Sequence, residues 1–172
     1  MTDPVLILSG QSIGAGFATN LAVSQAFPSS LTLDALLLET PFLSVRAILE
    51  ILCPQKWLPY RHLWPFRWNH LDNWSNLEIL ACQIFSRGSR ASSSPSGIIL
   101  EAGRNELVPA NHGAKPFDRC KAPGIPVRKS TVQGAYRNKA SFRVEGKGAV
   151  ASAVGAEVTR RFLGTSSKPG GA

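Results

Sequence analysis

Residues 5–22 read VLILSGQSIGAGFATNLA, and this stretch decides the fold. Val5 to Ser9 is a short apolar run suited to a buried strand. From Ile13 the small and apolar residues predict a helix that runs to Ala26, where Pro28 and two serines end it. A strand that turns straight into a helix belongs to a parallel βα unit. Ser12 stands at that turn between Gly10 and Gly14, which matches the G-x-S-x-G nucleophile elbow. In such a turn the serine takes unfavourable backbone angles, and glycines two before and two after leave room for the neighbouring strand and helix. The helix that follows would stabilise a developing oxyanion, with the Ile13 N–H as one donor. The competing reading is a glycine-rich βα turn that binds nothing, or phosphate. Neither G-x-G-x-x-G nor G-x-x-x-x-G-K-[ST] fits the run, since Ala15-Gly16-Phe17 breaks the first and no lysine follows for the second.

Outward from the turn, the chain alternates strands and helices. LTLDALLLE (31–39) is apolar on both faces, as a central parallel strand is. SVRAILEILC (44–53) has helical spacing with Ser44 as its N-cap. Residues 54–80 hold four tryptophans and three prolines, and the prolines forbid one long helix. Short helical turns forming an aromatic lid are expected there. Residues 86–97, SRGSRASSSPSG, have the composition of a flexible low-complexity insert. GIILEAG (97–103) is a third strand, and RNELVPANHG follows it as a loop, with a helix starting near Ala110. PVRKSTVQG (126–134) is a weaker fourth strand, and GAVASAVGAEVTRRFL (148–163) is the last helix. The expected fold class is α/β: about four parallel strands with flanking helices in one domain over residues 1–164, followed by a disordered tail at 165–172.

Composition narrows the function classes. The chain has 172 residues, 44% hydrophobic and 17% charged, enough for one globular core. Cys53, Cys82 and Cys120 are scattered without a C-x-x-C pair, which argues against structural zinc and a disulfide framework. No metal or cofactor is expected. Asp3 and Pro4 stand where a signal peptide would be basic, and no apolar run is long enough to span a bilayer. A cytoplasmic location, or one peripheral to a membrane, is therefore expected, and the Asn73-Trp74-Ser75 sequon carries little meaning. The net charge of +8 lies wholly in residues 101–172, with thirteen Lys/Arg against five Asp/Glu. Those basic residues are dispersed and lack interleaved aromatics, which argues against nucleic acid and for a solvated surface.

Taken together, VLILSGQSIGAGFATNLA, DALLLETPFLSV (34–45), KWLPYRHLWPF (56–66) and ILEAGRNELVP (99–109) resemble the C-terminal half of an α/β-hydrolase. The resemblance is to the alpha/beta-hydrolase domain-containing, serine-lipase and acyl-protein-thioesterase-like branch, of fungal type, and covers residues 5–163. It implies a serine hydrolase acting on esters or thioesters of acyl chains, with Ser12 as nucleophile. It also implies that the strands preceding the nucleophile strand, and the second oxyanion donor they supply, are absent from this chain. VLILS would then be an apolar sheet edge open to pairing.

The same resemblance places the catalytic acid in a G-x-x-D-E-L-V-P-like loop, where this chain reads Gly103-Arg104-Asn105-Glu106-Leu107-Val108-Pro109. The acid position is Asn105. The catalytic histidine belongs in a G-A-x-H-N-like turn, which here reads Gly134-Ala135-Tyr136-Arg137-Asn138, so Arg137 holds its position; a second register places it near Gly148-Ala149, which offers no histidine either. An arginine stays protonated and cannot serve as base. An amide at the acid position costs about 10⁴ in rate in the well-studied triad. Glu106 and His112 are the residues that could substitute. Little or no activity is expected. The alternative is a non-catalytic ligand- or protein-binding module. The expected partners are a small acyl ester or an acylated protein, with a membrane surface as a further candidate.

Overall fold

The computed structural model describes residues 4–24, 31–52, 71–86, 95–104, 115–116, 118, 126–136 and 140–166. Among the described residues the main elements are four strands and four helices: β1 (Leu6–Gln11), α1 (Ile13–Ser24), β2 (Leu33–Glu39), α2 (Val45–Leu52), α3 (Asn73–Ser86), β3 (Ser96–Arg104), β4 (Val127–Tyr136) and α4 (Val144–Ser166). The strands form one parallel sheet in the order β1-β2-β3-β4. Among the described residues no helix is long and apolar enough to cross a membrane.

Alternation along the strands sorts the core into two layers. Leu36, Leu38 and Ile99 point to one face and pack with Ala15, Ala18 and Ala22 of α1 and Leu77, Leu80 and Ala81 of α3. Ala35, Leu37 and Ile98 point to the other face and meet Ala153 of α4. β2 is buried from Asp34 through Glu39, as its two apolar faces predict. Each fully buried leucine such as Leu38 contributes about 2 kcal/mol.

Asp34 is the polar exception inside β2, and it has a reason to be there. The β1–β2 register slips between Leu6 and Ile7, so Leu6 faces Leu33 while Ile7 faces Ala35. The Leu6 N–H donates to Asp34 Oδ2 at 2.9 Å across that slip.

Local signals set the helix starts. Ser44 caps α2, its Oγ accepting the Ala47 N–H at 3.1 Å. Asp72 caps α3 in the same way, its Oδ1 accepting the Ser75 N–H at 3.0 Å. The aromatic segment behaves differently from the sequence expectation in its last part. Asn73–Ser86 is one continuous helix, with Leu77, Leu80 and Ala81 in the core, instead of short turns. The prolines that forbid a long helix all precede it, and Leu77, Leu80, Ala81 and Ile84 keep a helical spacing. Residues 53–70 and 87–94, most of the expected lid and insert, lie outside the described residues.

A buried polar network fixes α3 on α1. The Thr19 hydroxyl donates to Asn73 Oδ1 at 2.8 Å, and Asn73 Nδ2 donates to the Phe42 carbonyl at 2.6 Å. Asn76 Nδ2 donates to Thr19 Oγ1 at 3.2 Å. Thr19 and Asn73 are fully buried, so each bond avoids leaving a desolvated polar group unpaired.

α4 starts four residues earlier than its apolar spacing suggests. Gly146 allows this: a β-carbon there would stand 1.8 Å from the Ala140 carbonyl oxygen, so only glycine lets the helix begin against the preceding turn. Glu157, buried in α4, accepts the Ser96 hydroxyl at 2.7 Å and the Arg160 Nε at 2.9 Å, with a second contact to Arg160 Nη2. It anchors the helix to the start of β3.

Candidate active site

The C-terminal ends of parallel strands gather at one edge of the sheet, and that edge holds the candidate site. β1 ends at Gln11 and α1 begins at Ile13, which leaves Ser12 alone to reverse the chain. Ser12 does so with φ 52°, a left-handed conformation that a side chain with a β-carbon rarely takes. Such strain costs about 1–3 kcal/mol and persists only where neighbours hold it. Here the Ser12 N–H donates to the Glu39 carbonyl at 2.9 Å, one step beyond the last β1–β2 pair. The Ser12 carbonyl accepts the Ala15 N–H at 3.0 Å, which closes the first turn of α1.

The glycines around Ser12 differ in what they do. A β-carbon on Gly10 would lie 2.3 Å from the Gly14 carbonyl oxygen and 2.7 Å from the Ala15 nitrogen. Gly10 is thus required by the close return of α1 over β1. Gly14 has open space where its β-carbon would be, so the expectation that both motif glycines relieve crowding holds only for Gly10. Gly16, outside the motif, is the second tight position: its β-carbon would meet Leu71 Cβ at 2.9 Å.

Ser12 is 9% exposed, at the N-terminus of α1. The first amides of a helix lack intrahelical partners, and the helix dipole is positive there. An oxyanion formed on a carbonyl attacked at Ser12 would lie within that field. Ile13, the expected oxyanion donor, is the first residue of α1.

The structure adds two residues that the sequence reading passed over. Glu39 ends β2 beside Ser12, and its Oε1 accepts the Ser141 N–H at 2.9 Å. One residue therefore holds the serine turn by its carbonyl and the turn after β4 by its carboxylate. Thr40 follows with φ 45°, and its N–H donates to the Leu100 carbonyl at 2.7 Å. A β-branched residue in that region is an outlier, and it precedes Pro41, which normally favours extended backbone. Thr40 Oγ1 is buried and has no hydrogen-bond partner among the described residues. The available signal was the string Glu39-Thr40-Pro41, a charge and a proline closing a strand that is apolar from Ala35 to Leu38.

Asn105, Glu106, His112 and Arg137 lie outside the described residues. β3 ends at Arg104 and β4 at Tyr136, immediately before Asn105 and Arg137. Among the described residues no group of His, Cys, Asp and Glu could hold a metal ion.

No family model matches the chain, and no curated protein matches it in sequence. Solved structures do match its fold. The chain is similar to an esterase, Est2, from Thermogutta terrifontis, solved with propionate bound, at TM-score 0.55 and 16% identity over 89% of this chain. It is similar to the esterase Pf2001 of Pyrococcus furiosus at TM-score 0.52 and 16% identity over 90% of this chain. A puromycin-hydrolyzing peptidase from Mycobacterium tuberculosis matches at TM-score 0.55 and 10% identity over 91% of this chain. The chain spans 55%, 52% and 22% of those three chains. At these identities the likeness is one of fold. The four-stranded parallel sheet and its flanking helices are part of the α/β-hydrolase fold.

Proposed function

We propose that this chain carries a serine hydrolase site for carboxylic esters or acyl thioesters, built on Ser12, with little or no turnover. The observation that carries the reading is the Ser12 turn. Its left-handed φ, the Glu39 carbonyl that holds it and the crowding at Gly10 are what a nucleophile elbow needs, and a plain βα turn needs none of them. The Ile13 N–H serves as an oxyanion donor. The fold shared with esterases supports an ester substrate, and the propionate held by the Thermogutta terrifontis enzyme fits a small acyl group. The acyl-protein-thioesterase-like branch extends the substrate class to acylated proteins and to work at a membrane surface.

The low turnover follows from residue types. Asn105 at the acid position and Arg137 at the base position put neither a carboxylate nor an imidazole where the resemblance expects them, and a serine hydroxyl that no imidazole activates is a poor nucleophile. The same substitutions favour the second reading, a binding module that holds an acyl ligand without cleaving it. A fluorophosphonate probe tests both. The natural chain should label barely faster than Ser12→Ala. Arg137→His with Asn105→Asp should raise Ser12 labelling by roughly 10²-fold or more, the usual worth of a positioned base. Equal labelling of the repaired chain with and without Ser12 would overturn the nucleophile assignment. Rapid labelling of the natural chain would overturn the low-turnover assignment and point to Glu106 or His112 as substitutes.

A further inference from the structure

The face of β4 turned to α4 carries two polar residues where a core strand would be apolar. The register pairs Ile98 with Arg128, Leu100 with Ser130 and Ala102 with Val132. Leu100, Ala102 and Val132 pack with Ala149 and Val150 of α4, and Ile98 packs with Ala153. Alternation therefore puts Arg128 and Ser130 on the α4 face as well. α4 faces them with short side chains, Ala149, Ser152, Ala153 and Ala156, and space is left between helix and sheet. A cavity of about 350 Å³ extends from Ser96 and Pro126 to Glu157 and Arg160. A second, of about 210 Å³, continues past Leu100, Ser130 and Val150. The two share Ile98, Arg128 and Ala153, so they form one groove. Its walls are β3, β4 and α4, at the edge of the sheet furthest from β1.

Charge in the groove is unbalanced. Glu157 is the acidic residue of the lining, and both of its carboxylate oxygens are taken. Oε2 accepts the Ser96 hydroxyl at 2.7 Å, and Oε1 accepts Arg160 Nε at 2.9 Å. The Lys129 ammonium is matched by Glu101 at 2.9 Å. Arg128 has no ion-pair or hydrogen-bond partner among the described residues. A guanidinium is never deprotonated in a protein, so the groove holds a permanent positive charge beside an apolar floor. Pockets for small ligands are built in this way, from about 300 Å³ upward, with apolar walls and a few polar anchors.

We infer that this groove binds a medium-chain fatty acid, its carboxylate on Arg128 and its alkyl chain over Ile98, Leu100, Val150 and Ala153. A guanidinium holds a carboxylate by two parallel N–H···O bonds, a geometry that a cationic or neutral head cannot use. A compact anion such as phosphate would satisfy Arg128 and leave Ile98, Leu100 and Val150 uncovered, so the chain is part of the match. Ser96 and Val127 begin β3 and β4, whereas Ser12 follows the end of β1. The groove therefore opens toward the other end of the parallel strands, and it is a site separate from Ser12 and independent of its chemistry.

Titration calorimetry of the full chain with decanoate, kept below its micelle concentration, tests the site. Decanoate should bind one to one. Butyrate keeps the carboxylate and lacks the chain; decyltrimethylammonium keeps the chain and reverses the charge. Each should bind at least about tenfold more weakly than decanoate. Arg128→Gln should weaken decanoate at least about tenfold with unchanged far-ultraviolet circular dichroism, because the side chain is exposed and makes no bond that the fold needs. Backbone amide shifts on adding decanoate should concentrate at Gly97, Ile98, Ser130 and Ala153. Absence of saturable decanoate binding overturns the inference. So does equal binding of butyrate or decyltrimethylammonium, affinity indifferent to Arg128→Gln, or amide shifts concentrated at Ser12 and Ile13.

Discussion

Two neighbouring strand ends solve the same problem by different means. Ser12 after β1 and Thr40 after β2 are the two non-glycine residues with positive φ among the described residues, at 52° and 45°. Each sends its N–H to the strand on its far side, Ser12 to Glu39 and Thr40 to Leu100. Yet Ser12 is also held by what is adjacent in sequence: the missing side chain of Gly10, the carbonyl hydrogen bond to Ala15, and a helix that starts at once. Thr40 is followed by Pro41 and has no glycine near it. Its conformation rests on long-range partners, together with the grip of Glu39 on Ser141 more than a hundred positions away. Strain that is held locally leaves a motif in the sequence, and strain that is held by tertiary bonds does not.

Four substitutions break or sharpen the contrast. The largest effect is expected at Gly10. Gly10→Ala drives a β-carbon into main-chain atoms that cannot turn aside, and urea denaturation should show a loss of about 3 kcal/mol, the upper end for overpacking. Glu39→Ala comes next. It leaves the Ser141 N–H without its acceptor, and should cost about 2 kcal/mol, with Glu39→Gln recovering most of it because the amide oxygen still accepts. Thr40→Gly should act in the opposite direction. It removes the β-branched strain and a buried unpaired hydroxyl, and thermal melting should report a gain of about 1 kcal/mol after the entropic cost of glycine. Gly14→Ala is the smallest. Its β-carbon meets open space inside a helix, so a gain of about 0.5 kcal/mol is expected. If Gly14→Ala instead destabilised the chain as much as Gly10→Ala, the two motif glycines would have one role and the account of the turn would be wrong.

The same division runs through the fold. The strands were legible because β2 is apolar at every position from Ala35 to Leu38 and β1 is a short apolar run ended by glycine. Ser44 announced α2 because a cap is a local hydrogen bond. The start of α4 was less legible. Val144 and Phe142 are exposed, so apolar spacing gives no boundary there, and the position of Gly146 against Ala140 sets it instead. Asn73 reads as part of a sequon or an aromatic lid. Its role, a buried link between Thr19 and the Phe42 carbonyl, depends on helices brought together from positions 54 apart.

By itself the sequence determined a parallel α/β chain and a serine at a strand-to-helix turn, and resemblance supplied the expectation that Asn105 and Arg137 occupy the acid and base positions. All of these follow from residue type, short-range spacing and resemblance. Only the tertiary structure decided that Gly10 and not Gly14 is sterically required. It also decided that Glu39 joins the serine turn to the turn after β4, and that Thr40 is strained beside it. The physical reason is distance along the chain. A hydrogen bond or a steric contact between remote segments constrains both partners without imposing a pattern on either, so nothing in the local run of residues records it.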